Sequence, residues 1–260
     1  MNLVVSCSEA DKQFDRNVIY IWSHNDYEQE RPLFKALEFG YQMIEADIHL
    51  IDGNLYVSHD HPEDLERTPL LQDLYLDPLA EHIEKMDGEV LPESDVTFYL
   101  VIDVKTEAET TYRVLTDVLE PYRELFTRKK DGVFVNGPMR LLISGNRPQL
   151  TEDEPDRIAF IDGRIPDIGT GLSSDVYPLI SDNWNNYFNW DGTGEMPAEE
   201  FEELVSITEQ VHEEGKMIRF WATPDLESVW EVLLDAGVDV INVDDLQGLH
   251  DFLQDKRIRM

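Results

Sequence analysis

Residues 24–60 read HNDYEQERPLFKALEFGYQMIEADIHLIDGNLYVSHD, and the order of patterns within them decides the fold. Residues 43–49 are rich in apolar positions with Glu45 and Asp47 two apart, which in a strand puts both acids on one face. Residues 32–39 before them carry helical periodicity, and the apolar run 18–23 ahead of that is a further strand. This gives strand, helix, strand, the unit of a parallel sheet. Asp52-Gly53 then marks a two-residue hairpin turn, and residues 55–58 return antiparallel. His24 closes the first strand and His59 closes the hairpin return.

Working outward, the same alternation fills the chain. Strands are predicted at 18–23, 43–49, 98–105, 140–144, 157–161, 178–182, 217–221 and 239–243. Helices are predicted at 32–39, 73–86, 108–125, 198–214, 226–236 and 246–253. Eight strands is the number that closes an α/β barrel, and 260 residues is its usual size of about 250. The expected organisation is a flexible N-terminal segment, 1–16, followed by a single (β/α)8 TIM barrel, 17–260, with a β-hairpin insertion after strand 2. Residues 162–176 and 183–194 read as long loops, which on a barrel belong to the active-site face.

The composition excludes several classes. With 55 Asp+Glu against 21 Lys+Arg the formal net charge is −34. A nucleic-acid partner held through a basic patch is excluded, and attraction to an anionic membrane is disfavoured. The acidic surface is either salt-adapted or merely soluble. The single cysteine, Cys7, excludes an intramolecular disulfide. No run of 18 apolar residues exists, so no transmembrane segment is expected. Leu3-Val4-Val5-Ser6-Cys7 has the form of the end of a bacterial lipoprotein signal, without its basic and longer apolar parts. An exported lipoprotein with a shortened signal ending at Cys7 and a cytoplasmic protein with an incidental cysteine both stay open.

Charged residues inside apolar strands are expected to be paired or to hold a metal. Glu45 and Asp47 on strand 2 and Asp103 on strand 3 make an all-oxygen set, which suits one hard divalent cation, Mg²⁺ or Ca²⁺. The structural alternative is a salt-bridged layer neutralised by Lys105. His24 and His59 at the same mouth add an acid/base pair, since histidine titrates near neutrality. Two such groups beside a cation suit in-line displacement at phosphorus, with Lys105 as a further positive contact.

HNDY (24–27), RP (31–32), IEAD (44–47), DG (52–53), HD (59–60), LVIDVKT (100–106), SGNRP (144–148), DGR (162–164), LISD (179–182), RFWATP (219–224) and GVDVINVDD (237–245) recur in order, mostly at strand ends. In this the chain resembles the superfamily of glycerophosphodiester phosphodiesterases and phosphatidylinositol-specific phospholipases C. Within it, the resemblance is to a bacterial branch that is also similar to a yeast mitochondrial-inheritance protein. The resemblance implies a phosphoric diester hydrolase on a TIM barrel. It implies His24 and His59 as the catalytic pair, Glu45, Asp47 and Asp103 as metal ligands, and Lys105 as a phosphate contact. It adds Asn25, Arg147, Trp221, Asp244 and Asp182 as pocket residues. Typical glycerophosphodiesterases carry Arg after the first histidine, where Asn25 stands here. Their Glu-Asn-Thr block is replaced by Gln29-Glu30-Arg31-Pro32. Asp103 with Lys105-Thr106 is closer to the sphingomyelinase-D-like phospholipases.

The expected function is hydrolysis or cyclisation of a glycerophosphodiester or phospholipid-type substrate, a small molecule or a lipid. The alternatives are a non-catalytic barrel that binds a phosphate or sugar ligand, and a metal-dependent sugar isomerase.

Overall fold

The computed structural model describes residues 18–91 and 96–260. The N-terminal segment 1–16, with Cys7, lies outside the described residues. The strands in chain order are β1 (Tyr20–Ser23), β2 (Met43–Ile51), its hairpin return β3 (Asn54–Val57), β4 (Phe98–Val104), the short pair β5 (Arg128–Lys130) and β6 (Val133–Val135), β7 (Met139–Gly145), β8 (Ala159–Gly163), β9 (Leu179–Asn183), β10 (Met217–Trp221) and β11 (Val240–Val243). Eight of them pair in parallel in the order β1-β11-β10-β9-β8-β7-β4-β2, and β1–β2 pairing closes the ring. This is the expected TIM barrel, and β3 is the expected excursion from β2.

Among the described residues, six α-helices cover the outside: α1 (Phe34–Glu38), α2 (Asp77–Lys85), α3 (Ala108–Leu119), α4 (Ala198–Glu213), α5 (Glu227–Asp235) and α6 (Leu246–Lys256). Two ends differ from the pattern reading for local reasons. α3 gives way to a 3-10 turn, Glu120–Leu125, because Pro121 cannot donate to the preceding turn. α2 is preceded by a π turn over Gln72–Leu76, so the regular helix starts four residues later than expected. No α-helix follows β7, and only a 3-10 turn, Ile165–Asp167, follows β8. Residues 183–194 run as a loop with one 3-10 turn, Trp184–Asn186, and the loop is packed: Trp184, Phe188 and Trp190 are buried in one cluster with Phe220. Among the described residues, no helix is long and apolar enough to cross a membrane.

The strand register sorts the barrel interior into layers. Tyr20, Met43, Tyr99, Leu142, Phe160, Leu179, Met217 and Val240 share one apolar interior cluster. Each such side chain, fully buried, contributes about 1.5–3 kcal/mol. One step on toward the strand ends the residues are polar: Glu45, Asp47, Ser144, Asp162, Ser181, Arg219 and Asn242, all buried. The hairpin β5–β6 lies outside the predicted strands, although its turn, Asp131-Gly132, carries the same signal as Asp52-Gly53. All four residues have positive φ, as a type I′ turn demands. This hairpin stacks Phe134 on Phe160 of the apolar layer. Arg157, expected to open a strand, instead bridges to Lys129 of the hairpin.

Candidate active site

β2 and β4 deliver the acids together because the register makes Asp47 and Asp103 direct Cα partners. With Glu45 two residues earlier on the same face, each acid offers one oxygen and the three lie within 4.8 Å of one another. Burial, then the charge of Glu45, raises the pKa of both Asp47 and Asp103, and the Lys105 ammonium only partly offsets this. Asp47 is pushed up to about 6. Gly145 makes room for the cluster. It sits at φ +67°, and a Cβ there would run into Asp103 Oδ1 and the Val104 carbonyl.

The two oxygens of Asp47 are used unequally. Oδ2 accepts from the Tyr27 hydroxyl at 2.8 Å and lies 3.0 Å from His59 Nδ1 and 2.8 Å from Lys105 Nζ. Oδ1 is buried with no partner. Lys105 also reaches Asp103 Oδ1 at 2.9 Å. Burial pulls the Lys105 pKa down, but the two carboxylates outweigh it and the ammonium is held above its ordinary value. Glu45 Oε2 accepts from Trp22 Nε1 at 2.9 Å and from the Asn25 backbone amide at 3.2 Å. Asn25 adopts left-handed backbone geometry, φ 45°, to present that amide. Its Oδ1 faces the Tyr27 hydroxyl at 2.9 Å, so one proton serves both Asn25 and Asp47.

Each histidine has Nδ1 against a carboxylate. His24 Nδ1 lies 2.7 Å from Asp244 Oδ1, and His24 Nε2 lies 3.9 Å from Glu45. Burial lowers the His24 pKa, while the bond to Asp244 and the charge of Glu45 together raise it above its ordinary value. His59 stands against Asp47 and is half-exposed. A carboxylate on Nδ1 fixes the neutral tautomer with Nδ1 protonated, which leaves Nε2 as the atom that exchanges a proton. His49, on β2, hydrogen-bonds the His59 carbonyl through Nε2 at 3.2 Å and so supports the loop that carries His59.

His24, Asn25, Glu45, His59, Asp103, Lys105 and Trp221 all line one cavity of about 400 Å³ at the carboxyl ends of the strands. Asp244 touches the set through His24. Arg147 does not line this cavity: it donates to the Asp162 carbonyl at 2.7 Å and lies 3.6 Å from Asp167. Asp182 is likewise outside, holding Asn186 and the backbone amide of Ile165. The arginines that do line it, beside Lys105, are Arg164 and Arg219. Both belong to the motifs DGR and RFWATP, but strand-end position alone does not tell which side chain turns inward. Tyr27 and Trp22 were missed as well; HNDY held the clue to the first, and nothing local marked the second.

A barrel closed this way, with its polar groups at the strand ends, is the TIM-barrel class, where such groups do chemistry. Solved structures agree on the fold. A glycerophosphodiester phosphodiesterase from Parabacteroides distasonis superposes with a TM-score of 0.52 at 15% identity, over 93% of this chain and 98% of that one. One from Agrobacterium tumefaciens gives 0.50 at 15% identity, over 91% and 100%. Among curated proteins, an altered inheritance of mitochondria protein 6 homolog of Arthroderma benhamiae is 28% identical over 258 residues, covering 88% of this chain and 82% of its own. The Saccharomyces cerevisiae protein of that name is 23% identical over 286 residues, covering 94% and 73%. A family profile, the AIM6-like phosphodiesterase domain, matches residues 11–162. The chain belongs to this family of phosphodiesterase domains.

Proposed function

We propose that the chain hydrolyses a phosphodiester of glycerophosphodiester or phospholipid type, using His24 and His59 as an acid/base pair beside one divalent cation held by Glu45, Asp47 and Asp103. The observation that carries this reading is the buried, partnerless Asp47 Oδ1 within a cluster of three strand-end acids. An unpartnered carboxylate oxygen within such a cluster of acids suits a hard cation, and the donor set is all oxygen. When bound, Mg²⁺ or Ca²⁺ would offset charge on the non-bridging phosphoryl oxygens.

The chain's own residues do the rest. One histidine Nε2 takes a proton from water as its oxygen bonds to phosphorus. The other gives a proton to the leaving alcohol oxygen as that P–O bond breaks. Asp244 and Asp47 hold the two rings in the tautomer this needs. Lys105 adds positive charge between Asp47 and Asp103, and the Trp221 ring at the cavity wall offers a face to the alcohol.

The test is turnover of an aryl phosphodiester. His24→Ala and His59→Ala should each lower it by at least about 10²-fold, with circular dichroism unchanged. Chelation should abolish it and Mg²⁺ or Ca²⁺ restore it. Near-wild-type turnover in either histidine variant overturns the pair, and turnover that survives exhaustive chelation removes the cation. A panel of glycerophosphocholine, lysophospholipid, sphingomyelin and phosphatidylinositol then identifies the alcohol.

A further inference from the structure

We propose that Arg219 is the anion anchor of the cavity and holds a non-bridging oxygen of the phosphate; this rests on the phosphodiesterase reading for its substrate but not for its chemistry. Arg219 lies on the interior face of β10 and is only 3% exposed. Its Nε and Nη2 both turn to a single neutral acceptor, Asn242 Oδ1. Its guanidinium carbon sits 3.5 Å from the centre of the Trp22 ring. Among the described residues no carboxylate is in ion-pair contact with it, and Nη1 has no hydrogen-bond partner.

The other cations near the cavity are already neutralised. Lys105 is paired with Asp47 and Asp103, Arg164 with Asp162, and Arg147 lies against Asp167. Glu45, Asp162 and Asp103 act on Arg219 only through the longer-range field. A buried guanidinium without a counter-ion is costly and does not persist for packing alone, because an apolar side chain would fill the barrel axis at less cost. Arg219 lines the same 400 Å³ cavity as both histidines. Stacking on Trp22 and the bonds to Asn242 lock the plane of the fork, so little side-chain entropy is left to lose on binding. A phosphate oxyanion can accept from the unpartnered Nη1 of that fixed guanidinium and supplies the missing charge. The residue after His24 is a neutral asparagine, so no cation next to the histidine competes for this role.

The experiment titrates inorganic phosphate into the full chain by calorimetry, with the chain chelated and again with Mg²⁺, for wild type, Arg219→Met and Arg219→Lys. Wild type should bind phosphate even when chelated. Arg219→Met, folded by circular dichroism, should lose at least about tenfold in affinity and raise KM for an aryl phosphodiester more than it lowers kcat. Arg219→Lys keeps the charge without the fork and should lose several-fold; it decides the matter if the methionine variant does not fold. Wild type that ignores phosphate, or unchanged phosphate affinity in a folded variant, overturns the anchor. The two readings fail separately. A chain inert toward every diester that still binds phosphate through Arg219 keeps the anchor and loses the hydrolase. A hydrolase whose phosphate affinity ignores Arg219 does the reverse.

Discussion

Asp47 on β2 and Asp162 on β8 are both fully buried acids of the polar layer, and both face several donors. Asp162 spends both oxygens: Oδ1 accepts from Ser181 Oγ at 2.6 Å, and Oδ2 accepts from Ser144 Oγ at 2.8 Å and from Arg164 at 2.9 Å. Asp47 crowds three partners onto Oδ2 and leaves Oδ1 with none. One acid ties neighbouring strands together; the other leaves one oxygen unpartnered, the oxygen proposed above as a cation ligand. The difference divides the barrel mouth. The β1–β4 side holds the concentrated, unresolved negative charge, and the β7–β10 side holds paired acids and the arginines. A buried acid is therefore assigned by what its second oxygen does, and not by its depth.

The same substitution on both sides should separate the two roles. Asp162→Asn puts an NH₂ where a donor now points and strips Arg164 of its counter-ion. It should cost on the order of 3 kcal/mol and lower Tm by roughly 6–12 °C in a chain of this size, while the folded fraction keeps its turnover. Asp47→Asn should leave Tm near wild type, because an amide oxygen can still accept from Tyr27 and His59. Its kcat/KM should fall about 100-fold, which is about 2.7 kcal/mol. Thermal melts and steady-state rates on both variants read the contrast. A large melt shift in Asp47→Asn with unchanged rate would dissolve it.

Much of this division was legible in the chain, and the part that was not has a physical reason. The barrel followed from eight apolar runs, whose period survives without tertiary information. Glu45, Asp47 and Asp103 followed from spacing, since i and i+2 share a strand face. The Asp52-Gly53 turn delivered His59. Which arginine faces the cavity did not follow. Arg147, Arg164 and Arg219 all stand at or near strand ends, and only packing turned Arg147 to Asp167 and Arg219 to Trp22. The oxygen-by-oxygen contrast between Asp47 and Asp162 was equally invisible, because it depends on serines from two other strands and on a tyrosine in a 3-10 turn.

Gly145→Ala probes the border between the two sides. Gly145 ends β7, next to Ser144 of the paired network, but the space it leaves is occupied by Asp103 of the open one. An alanine there must hold a left-handed φ and push the Asp103 carboxylate aside. A cost of about 2 kcal/mol is expected from the backbone, with a weaker affinity for Mg²⁺ or Ca²⁺ in calorimetric titration. If the melt moves but cation affinity does not, Asp103 is not a ligand.

The smallest effect is expected where the ring of strands closes. Asp244, just after β11, reaches His24, just after β1, because those strands are paired. This carboxylate is 68% exposed, unlike Asp47 behind His59, which is fully buried. Water can therefore take over part of what Asp244 does, and an exposed charge pair is worth little in stability. Asp244→Asn can still meet Nδ1 with its amide oxygen, so the tautomer is biased and not lost. A drop of about tenfold in kcat/KM, about 1.4 kcal/mol, is expected with no change in Tm. The asymmetry is what tests the comparison: removing the exposed partner of His24 should lower kcat/KM about tenfold, against about 100-fold for the buried partner of His59. Equal losses would mean that Asp47 acts on catalysis only through the His59 ring, and the case for its free oxygen as a cation ligand would fall.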